Sequence, residues 1–93
     1  MRTIDRPGSF KRDYKREAKG QHRATLDKDL VPVLKALATD QPLEPRHHDH
    51  DLTGRWIGYR ECHLKPDLLL IYRKVGDDAL ILARLGSHSE LFG

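Results

Sequence analysis

The sequence predicts an α+β domain in which two N-terminal helices pack on one face of a small, largely antiparallel sheet. Two observations favour this fold class: apolar residues recur at helical spacing up to residue 37, and three strand-like apolar runs follow residue 54. The expected element order is β-α-α-β-β-β with a short helix at the end. Ninety-three residues leave room for one hydrophobic core, so we expect a single domain over 1–93, its second sheet face open to solvent or substrate.

A short strand and a first helix are expected before residue 20. Residues 2–5 are the expected strand, which ends at the turn pair Pro7-Gly8. Ser9 fits the N-cap of a helix that runs to about Ala18 and is closed by Gly20. The basic residues of this helix are expected to point to solvent, and its buried face is expected to carry Phe10, Tyr14 and Ala18.

A second helix is predicted by a stripe of five apolar residues: Leu26, Leu30, Val33, Leu34 and Leu37. Pro32 lies inside this stripe, and an interior proline costs a helix about 3 kcal/mol. The proline is tolerated more easily if Asp29 is the true N-cap or if the first turn is bent. We therefore expect a break or a kink near Asp29.

The C-terminal half predicts a loop, an antiparallel meander and a last helix. Residues 41–51 are polar and contain two prolines, as is typical of a loop. Residues 75–78 form a plausible hairpin turn, and Ser87 with Glu90 fits the capping box that begins a short helix. The three expected strands are 55–64, 68–73 and 79–85.

Charge is distributed unevenly along the chain. Residues 1–24 hold eight of the seventeen Lys and Arg residues but three of the fourteen acidic residues, a net charge of +5, whereas the remainder carries −2. Such asymmetry indicates either a polyanionic partner on one side of the molecule or simply a solvated helix face.

Composition also excludes several classes of protein. Cys62 is the only cysteine, so no intramolecular disulfide is possible and a reducing compartment is favoured. No apolar run approaches the ~20 residues that span a bilayer, and the first residues lack the apolar core of a secretory signal. We therefore expect a cytoplasmic protein without a membrane partner.

Five of the six histidines follow residue 46, and three of them lie in the segment 47–51. Adjacent ligands on a loop rarely converge on one ion, and no helical His-x-x-x-His pair accompanies them. The segment therefore favours a solvated polar loop in which one member has a function, and we expect no metal and no other cofactor.

His63, Asp67 and His88 each fall at the end of a predicted element, where a folded meander would gather them on one surface. Imidazole titrates near neutral pH, so a pair of histidines supplies the base and the acid that RNA cleavage needs. Arg84 would stabilise phosphoryl charge, the helix start at Ser87 would add positive potential, and an aromatic ring such as Phe92 would stack on a base. Each residue taken alone also fits a structural or surface role.

The chain resembles the RelE/ParE superfamily of toxin-antitoxin toxins, and specifically its YafQ branch. The resemblance covers nearly the whole chain and is strongest over 50–93. The matching segments are 10–15, 50–60, His63, Pro66-Asp67, 70–72, 84–88 and 91–93.

The resemblance implies a RelE-like fold and a ribosome-dependent, metal-independent endoribonuclease that cleaves mRNA. The catalytic positions of the family fall on His50, His63, Asp67, Arg84 and His88, and its penultimate phenylalanine falls on Phe92. We expect His50 or Asp67 to help deprotonate the 2′-OH, His88 to act as the acid, and His63 to position the phosphate or hold a neighbour's tautomer.

The implied partners are a cognate antitoxin of the DinJ/RelB type, mRNA in the ribosomal A site, and ribosomal RNA. Operator DNA is bound only through the antitoxin complex. The first helix would face ribosomal RNA with Lys11, Arg12, Lys15, Arg16 and Lys19. Two alternatives stay open: a ParE-like toxin that acts on DNA gyrase without nuclease chemistry, and a regulatory nucleic-acid-binding module.

Overall fold

The computed structural model describes residues 1–93 and contains a five-stranded sheet, three α-helices and two single 3₁₀ turns, at Pro45–His47 and Gly54–Trp56. The helices are α1 (Gly8–Lys19), α2 (Leu26–Ala38) and α3 (His88–Phe92). The strands are β1 (Thr3–Asp5), β2 (His50–Asp51), β3 (Arg60–Lys65), β4 (Leu68–Val75) and β5 (Ala79–Gly86). None of the helices has the length and apolarity that a membrane crossing requires.

The strand order across the sheet is β1-β5-β4-β3-β2. β1 pairs with β5 in parallel, and the other three pairs are antiparallel. This mixed, largely antiparallel sheet with its two N-terminal helices confirms the α+β fold class. It also brings the end of β3, the β3–β4 turn and the end of β5 together, and His63, Asp67, Arg84 and His88 lie at or next to these positions.

Both faces of the sheet are covered. On one face α1 and α2 pack against side chains of β3, β4 and β5 in a core of fourteen buried residues. On the other face, Leu69, Ile71, Ala83 and Leu91 form a smaller cluster against Leu52, Trp56 and Tyr59. The expectation of an open second face was therefore wrong.

The segment that covers this second face was predicted as part of a strand. Strand β3 begins at Arg60 instead of residue 55, because the chain before it turns back through Gly54–Trp56. Gly54 and Gly58 have positive φ angles of 64° and 92°, which side chains with a Cβ adopt at a cost. These glycines bend the segment so that Trp56 and Tyr59 reach the sheet.

Helix α1 differs from its prediction at the N-cap and on its buried face. Pro7 is the residue before the first turn, and the Ser9 hydroxyl donates instead to the carbonyl oxygen of Ala83 on β5, at 3.0 Å. Ala18 is exposed, and besides Phe10 the helix buries two acidic residues, Asp13 and Glu17. A charged helix face is therefore turned toward the protein.

Helix α2 runs without interruption through Pro32, so the break expected near Asp29 was wrong. Four apolar side chains of this helix, those of Leu26, Leu30, Val33 and Leu37, are each 2% exposed. Burying one such side chain stabilises a fold by about 1.5–3 kcal/mol, so together they outweigh the cost of about 3 kcal/mol for one proline. Asp29 forms an ion pair with Lys65 at 2.7 Å.

Two local predictions in the C-terminal half are confirmed. The β4–β5 hairpin turns at residues 76–78, and Gly76 has a φ of 57°. The capping box at the start of α3 is complete: the Ser87 hydroxyl accepts from the Glu90 backbone N–H, and the Glu90 carboxylate accepts from the Ser87 N–H at 2.8 Å. The predicted loop 41–51 contains a 3₁₀ turn and the short strand β2.

Candidate active site

Three histidines from three different elements lie in a row. The ring centroid of His63 on β3 is 6.5 Å from that of His50 on β2 and 5.8 Å from that of His88 at the start of α3. The ring of Phe92, which is 47% exposed, continues the row 6.4 Å beyond His88. His48, which the sequence analysis set aside, places its ring 5.5 Å from that of His63.

A groove of about 670 Å³ runs along one end of this row. It is lined by histidines and by basic residues of the neighbouring turns, and a single hydrophobic residue contributes. The lining residues are Arg46, His47, His48, His50, His63, Leu64, Lys65 and Pro66. Two cationic side chains line it, Arg46 and Lys65, and they pair with the carboxylates of Glu44 and Asp29.

The tautomer of His50 follows from one hydrogen bond. Its Nδ1 lies 2.6 Å from the backbone carbonyl oxygen of His48. A carbonyl oxygen only accepts, so Nδ1 carries a proton and donates it. In the neutral ring the lone pair is therefore on Nε2, and Nε2 has no partner within the protein. His50 is arranged as a base.

His88 also donates through Nδ1, but its acceptor is a carboxylate and not a carbonyl oxygen. Its Nδ1 donates to Oδ1 of Asp67 at 2.8 Å, and its backbone N–H donates to the same oxygen at 3.0 Å. The backbone and side-chain hydrogen bonds from His88 hold the pKa of Asp67 below its ordinary value. A carboxylate that stays ionised favours the imidazolium form of its partner. The Asp67 carboxylate therefore orients the His88 ring through Nδ1, and Nε2 forms no hydrogen bond within the protein.

The start of α3 was expected to offer positive potential to a phosphate. The structure uses two of its N–H groups internally, because that of His88 donates to Asp67 and that of Glu90 donates to Ser87. The helix start therefore orients the Asp67–His88 pair.

His63, at the centre of the row, is held by a buried carboxylate that the sequence analysis missed. Its Nε2 lies 3.2 Å from Oε1 of Glu61, whose side chain is 6% exposed. Residues two apart on a strand share a face, so the spacing of Glu61 and His63 on one predicted strand was the available signal.

Glu61, His63 and His88 also form the one three-ligand group in the chain with metal-binding geometry. Their ligand atoms all lie within 4.8 Å of one another. Three protein ligands with an open position is the usual arrangement for a catalytic Zn²⁺. The segment 47–51 forms no such group, since His47 is buried and its Nδ1 donates to the carbonyl oxygen of His63 at 2.7 Å.

Arg84 is bound by Asp13 of α1. Its Nε donates to Asp13 at 2.6 Å and its Nη2 donates at 3.3 Å, while Nη1 forms no hydrogen bond within the protein. The same carboxylate accepts from Arg16 and from the Leu85 N–H, each at 3.0 Å. Burial alone would raise the pKa of Asp13, but these hydrogen bonds and the two guanidinium charges leave it below its ordinary value.

The predicted RNA-binding residues of α1 divide into two groups. Four are exposed and form no ion pair: Lys11, Arg12, Lys15 and Lys19. Arg16 instead pairs with Asp13, Glu17 and Glu90 at 2.9–3.0 Å and donates to the carbonyl oxygen of Leu85. The charge of Arg16 is therefore compensated within the fold.

This arrangement of sheet and helices is that of small bacterial toxins of toxin-antitoxin systems. The family model described as "Bacterial toxin of type II toxin-antitoxin system, YafQ" matches residues 2–93. The chain therefore belongs to the YafQ family of type II toxins, which confirms the resemblance in the sequence.

Relatives support the assignment over the full length. The chain is 37% identical to the mRNA interferase toxin YafQ of Escherichia coli K12 over 93 residues, covering 100% of this chain and 98% of that protein. The toxin in a crystal structure of the E. coli DinJ–YafQ complex superposes with a TM-score of 0.83 at 36% identity, covering 100% of both chains. A copper-bound mutant toxin from Helicobacter pylori superposes with a TM-score of 0.84 at 42% identity, covering 99% of this chain and 100% of that one.

Proposed function

We propose that this chain, as an mRNA interferase toxin, is an endoribonuclease that cleaves mRNA with His50 as base and His88 as acid. The observation that carries the proposal is that two imidazoles with different Nδ1 acceptors, one neutral and one anionic, lie on either side of His63. One has a free Nε2 lone pair, and the other is paired with an ionised carboxylate. General acid–base catalysis requires this combination at neutral pH.

In the first half of the reaction, Nε2 of His50 takes the proton of a 2′-OH. The 2′-oxygen attacks the adjacent phosphorus as the bond to the 5′-oxygen breaks. Asp67 was the other candidate for this base, but its Oδ1 already accepts two hydrogen bonds from His88. Asp67 therefore orients His88, and His50 is the proposed base.

In the second half of the reaction, Nε2–H of His88 protonates the leaving 5′-oxygen. The products are a 2′,3′-cyclic phosphate and a 5′-hydroxyl. His50 is left protonated and His88 neutral, and proton exchange with water restores both. No metal ion is needed for this sequence of proton transfers, because the imidazoles supply both the base and the acid.

The remaining site residues bind the substrate in this proposal. His63 contacts the phosphate, and the free Nη1 of Arg84 stabilises the charge that develops on its oxygens. Phe92 is exposed beside His88, where it can stack on an unpaired base.

We propose ribosome-bound mRNA in the A site as the substrate and ribosomal RNA as the surface that α1 contacts. The four exposed basic residues of α1 support this, since Lys and Arg release counterions when they bind phosphates. We also propose that a cognate antitoxin binds the chain, as DinJ is found in complex with the E. coli relative, and that operator DNA is contacted only through that complex. We therefore also propose that the protein acts in the cytoplasm.

The test is cleavage of a defined mRNA by the purified chain, with and without programmed ribosomes. We expect cuts in the A site that end in 2′,3′-cyclic phosphate, lost in His50→Ala and in His88→Ala. Asp40→Asn is the control, because the partners of this exposed carboxylate, Arg2 and Lys74, have no role in the proposed reaction. Full cleavage by both histidine variants would refute the assignment, and inhibition of DNA supercoiling without cleavage would favour a gyrase toxin.

A further inference from the structure

The proposed base lies in a segment that has little regular structure to hold it. Strand β2 is two residues long, His50 and Asp51, and both residues are exposed. His48, whose carbonyl oxygen fixes the tautomer of His50, has a φ of 45°, in the left-handed region. A non-glycine residue keeps this conformation only where its surroundings enforce it.

Arg60 of β3 holds both neighbours of His50 in the chain. Its Nη1 donates to Oδ1 of Asp51 at 2.6 Å, and its Nη2 and Nε donate to the two oxygens of Asp49 at 3.1 and 3.4 Å. One planar guanidinium thus binds the residues before and after His50 at the same time. The fork geometry of arginine suits this role, and the single ammonium of lysine does not.

Tyr72 anchors the same segment to the core. Its ring is 1% exposed, and its hydroxyl donates to Oδ1 of Asp49 at 2.5 Å. Tyr72 on β4 pairs directly with Arg60 on β3, so two adjacent strands hold Asp49. Burial and the Asp49 carboxylate raise the pKa of Tyr72, which keeps the hydroxyl a donor.

We infer that Asp49, Arg60 and Tyr72 are positioning residues that fix the direction of the His50 imidazole. The inference rests on the proposed function of His50. Asp49 is covalently between His48 and His50, so the hydrogen bonds to its carboxylate hold the backbone that sets both the carbonyl acceptor and the imidazole donor. Without them the ring is free to turn, and Nε2 loses its alignment with the 2′-OH.

Two variants test the inference with little change in volume. Tyr72→Phe removes one hydroxyl from a buried ring, and Asp49→Asn replaces an oxygen that faces Arg60 with an amide nitrogen. The control is Asp40→Asn, which makes the same chemical change in a carboxylate that also binds two cations; Asp40 lines the same groove as Asp49 and Arg60 but forms no hydrogen bond with either. Asp40 has a φ of 57°, which asparagine adopts readily.

The measurements are the single-turnover cleavage rate at saturating ribosomes, the Kd for ribosomes, and the ¹⁵N spectrum of His50, which reports its tautomer. We expect Tyr72→Phe and Asp49→Asn to lower the rate about tenfold and to leave Kd within about twofold. The Nδ1–H tautomer of His50 should lose population in both variants, whereas Asp40→Asn should match the unmodified chain.

A tautomer and a rate that match the control would overturn the inference, as would a loss confined to Kd. Full cleavage by His50→Ala would remove the proposed base and the positioning role with it. Loss of cleavage in His50→Ala but not in the two variants would refute the positioning role alone, so the two failures are distinguishable.

Discussion

The carboxylate of Asp13 should contribute more to stability than any other acidic group in the chain. Its side chain is 4% exposed and binds Arg84, Arg16 and the Leu85 N–H. Breaking a buried ion pair by removing one partner costs about 3–5 kcal/mol. The side chains of Arg84 and Arg16 are 28% and 40% exposed, so water can solvate the guanidinium groups that lose their partner. We therefore expect Asp13→Asn to lower the free energy of unfolding by about 3 kcal/mol, at the low end of this range.

The assay is urea unfolding at neutral pH, followed by circular dichroism. A loss of about 3 kcal/mol corresponds to a fall in Tm of roughly 15 °C for a domain of this size. The matched control is Asp40→Asn, whose carboxylate also binds two cations but is 52% exposed. We expect little change for the control, because exposed ion pairs are screened by water.

The stabilisation by Asp13 should also depend on pH. The folded-state pKa of Asp13 is lowered, so its contribution is present above the unfolded pKa of a carboxyl and is lost as the pH falls through the folded value. The stability difference between the unmodified chain and Asp13→Asn should therefore shrink in acid. Equal stability of Asp13→Asn and Asp40→Asn at neutral pH would refute the reasoning.

Four further predictions concern the site and the surface. Asp67→Asn should lower the cleavage rate about 100-fold with the ribosome Kd unchanged, because His88 loses the carboxylate that favours its acid form; an unchanged rate would exclude this role. Micromolar Zn²⁺ or Cu²⁺ should inhibit cleavage by ligating the three-ligand group, and a chelator should restore it; stimulation by the ions would contradict a metal-independent reaction. Lys11→Gln with Lys15→Gln should reduce the salt dependence of ribosome binding, which a filter-binding titration measures, and an unchanged slope would place the RNA elsewhere. Burial raises the pKa of Cys62 to about 12, so its thiol should resist alkylation at pH 8 until the chain unfolds, and rapid labelling of the native protein would contradict its burial.

The sequence predicted those elements whose signals are local. The capping box at Ser87 needs residues three apart, and the turn at Gly76 needs a glycine between two apolar runs. His63 and His88 were selected because each ends a predicted element, and the strand pairing then brought them together.

Features that depend on distant partners were not predicted. No role was predicted for Asp13, because its partners Arg84 and Leu85 are more than seventy positions away in the sequence. Its carboxylate becomes buried and bound only when β5 packs beside α1. Trp56 was placed in a strand because aromatic residues favour strands, whereas the bend at Gly54 decides its position.

The space around Arg16 limits which sequences this fold accepts. Gly86 has an ordinary backbone conformation, so the fold requires its lack of a side chain and not its backbone flexibility. A methyl group at this position would approach Nη2 of Arg16 to 2.7 Å and the Glu90 carboxylate to 3.0 Å. A side chain at position 86 would displace the Arg16 guanidinium from its ion pair with Glu90 and its hydrogen bond to the Leu85 carbonyl oxygen, so residues 86 and 16 are expected to vary together. Replacing Arg16 by a neutral residue should accordingly lower the stability of the fold, whereas the same change at Lys15 should lower the affinity for RNA.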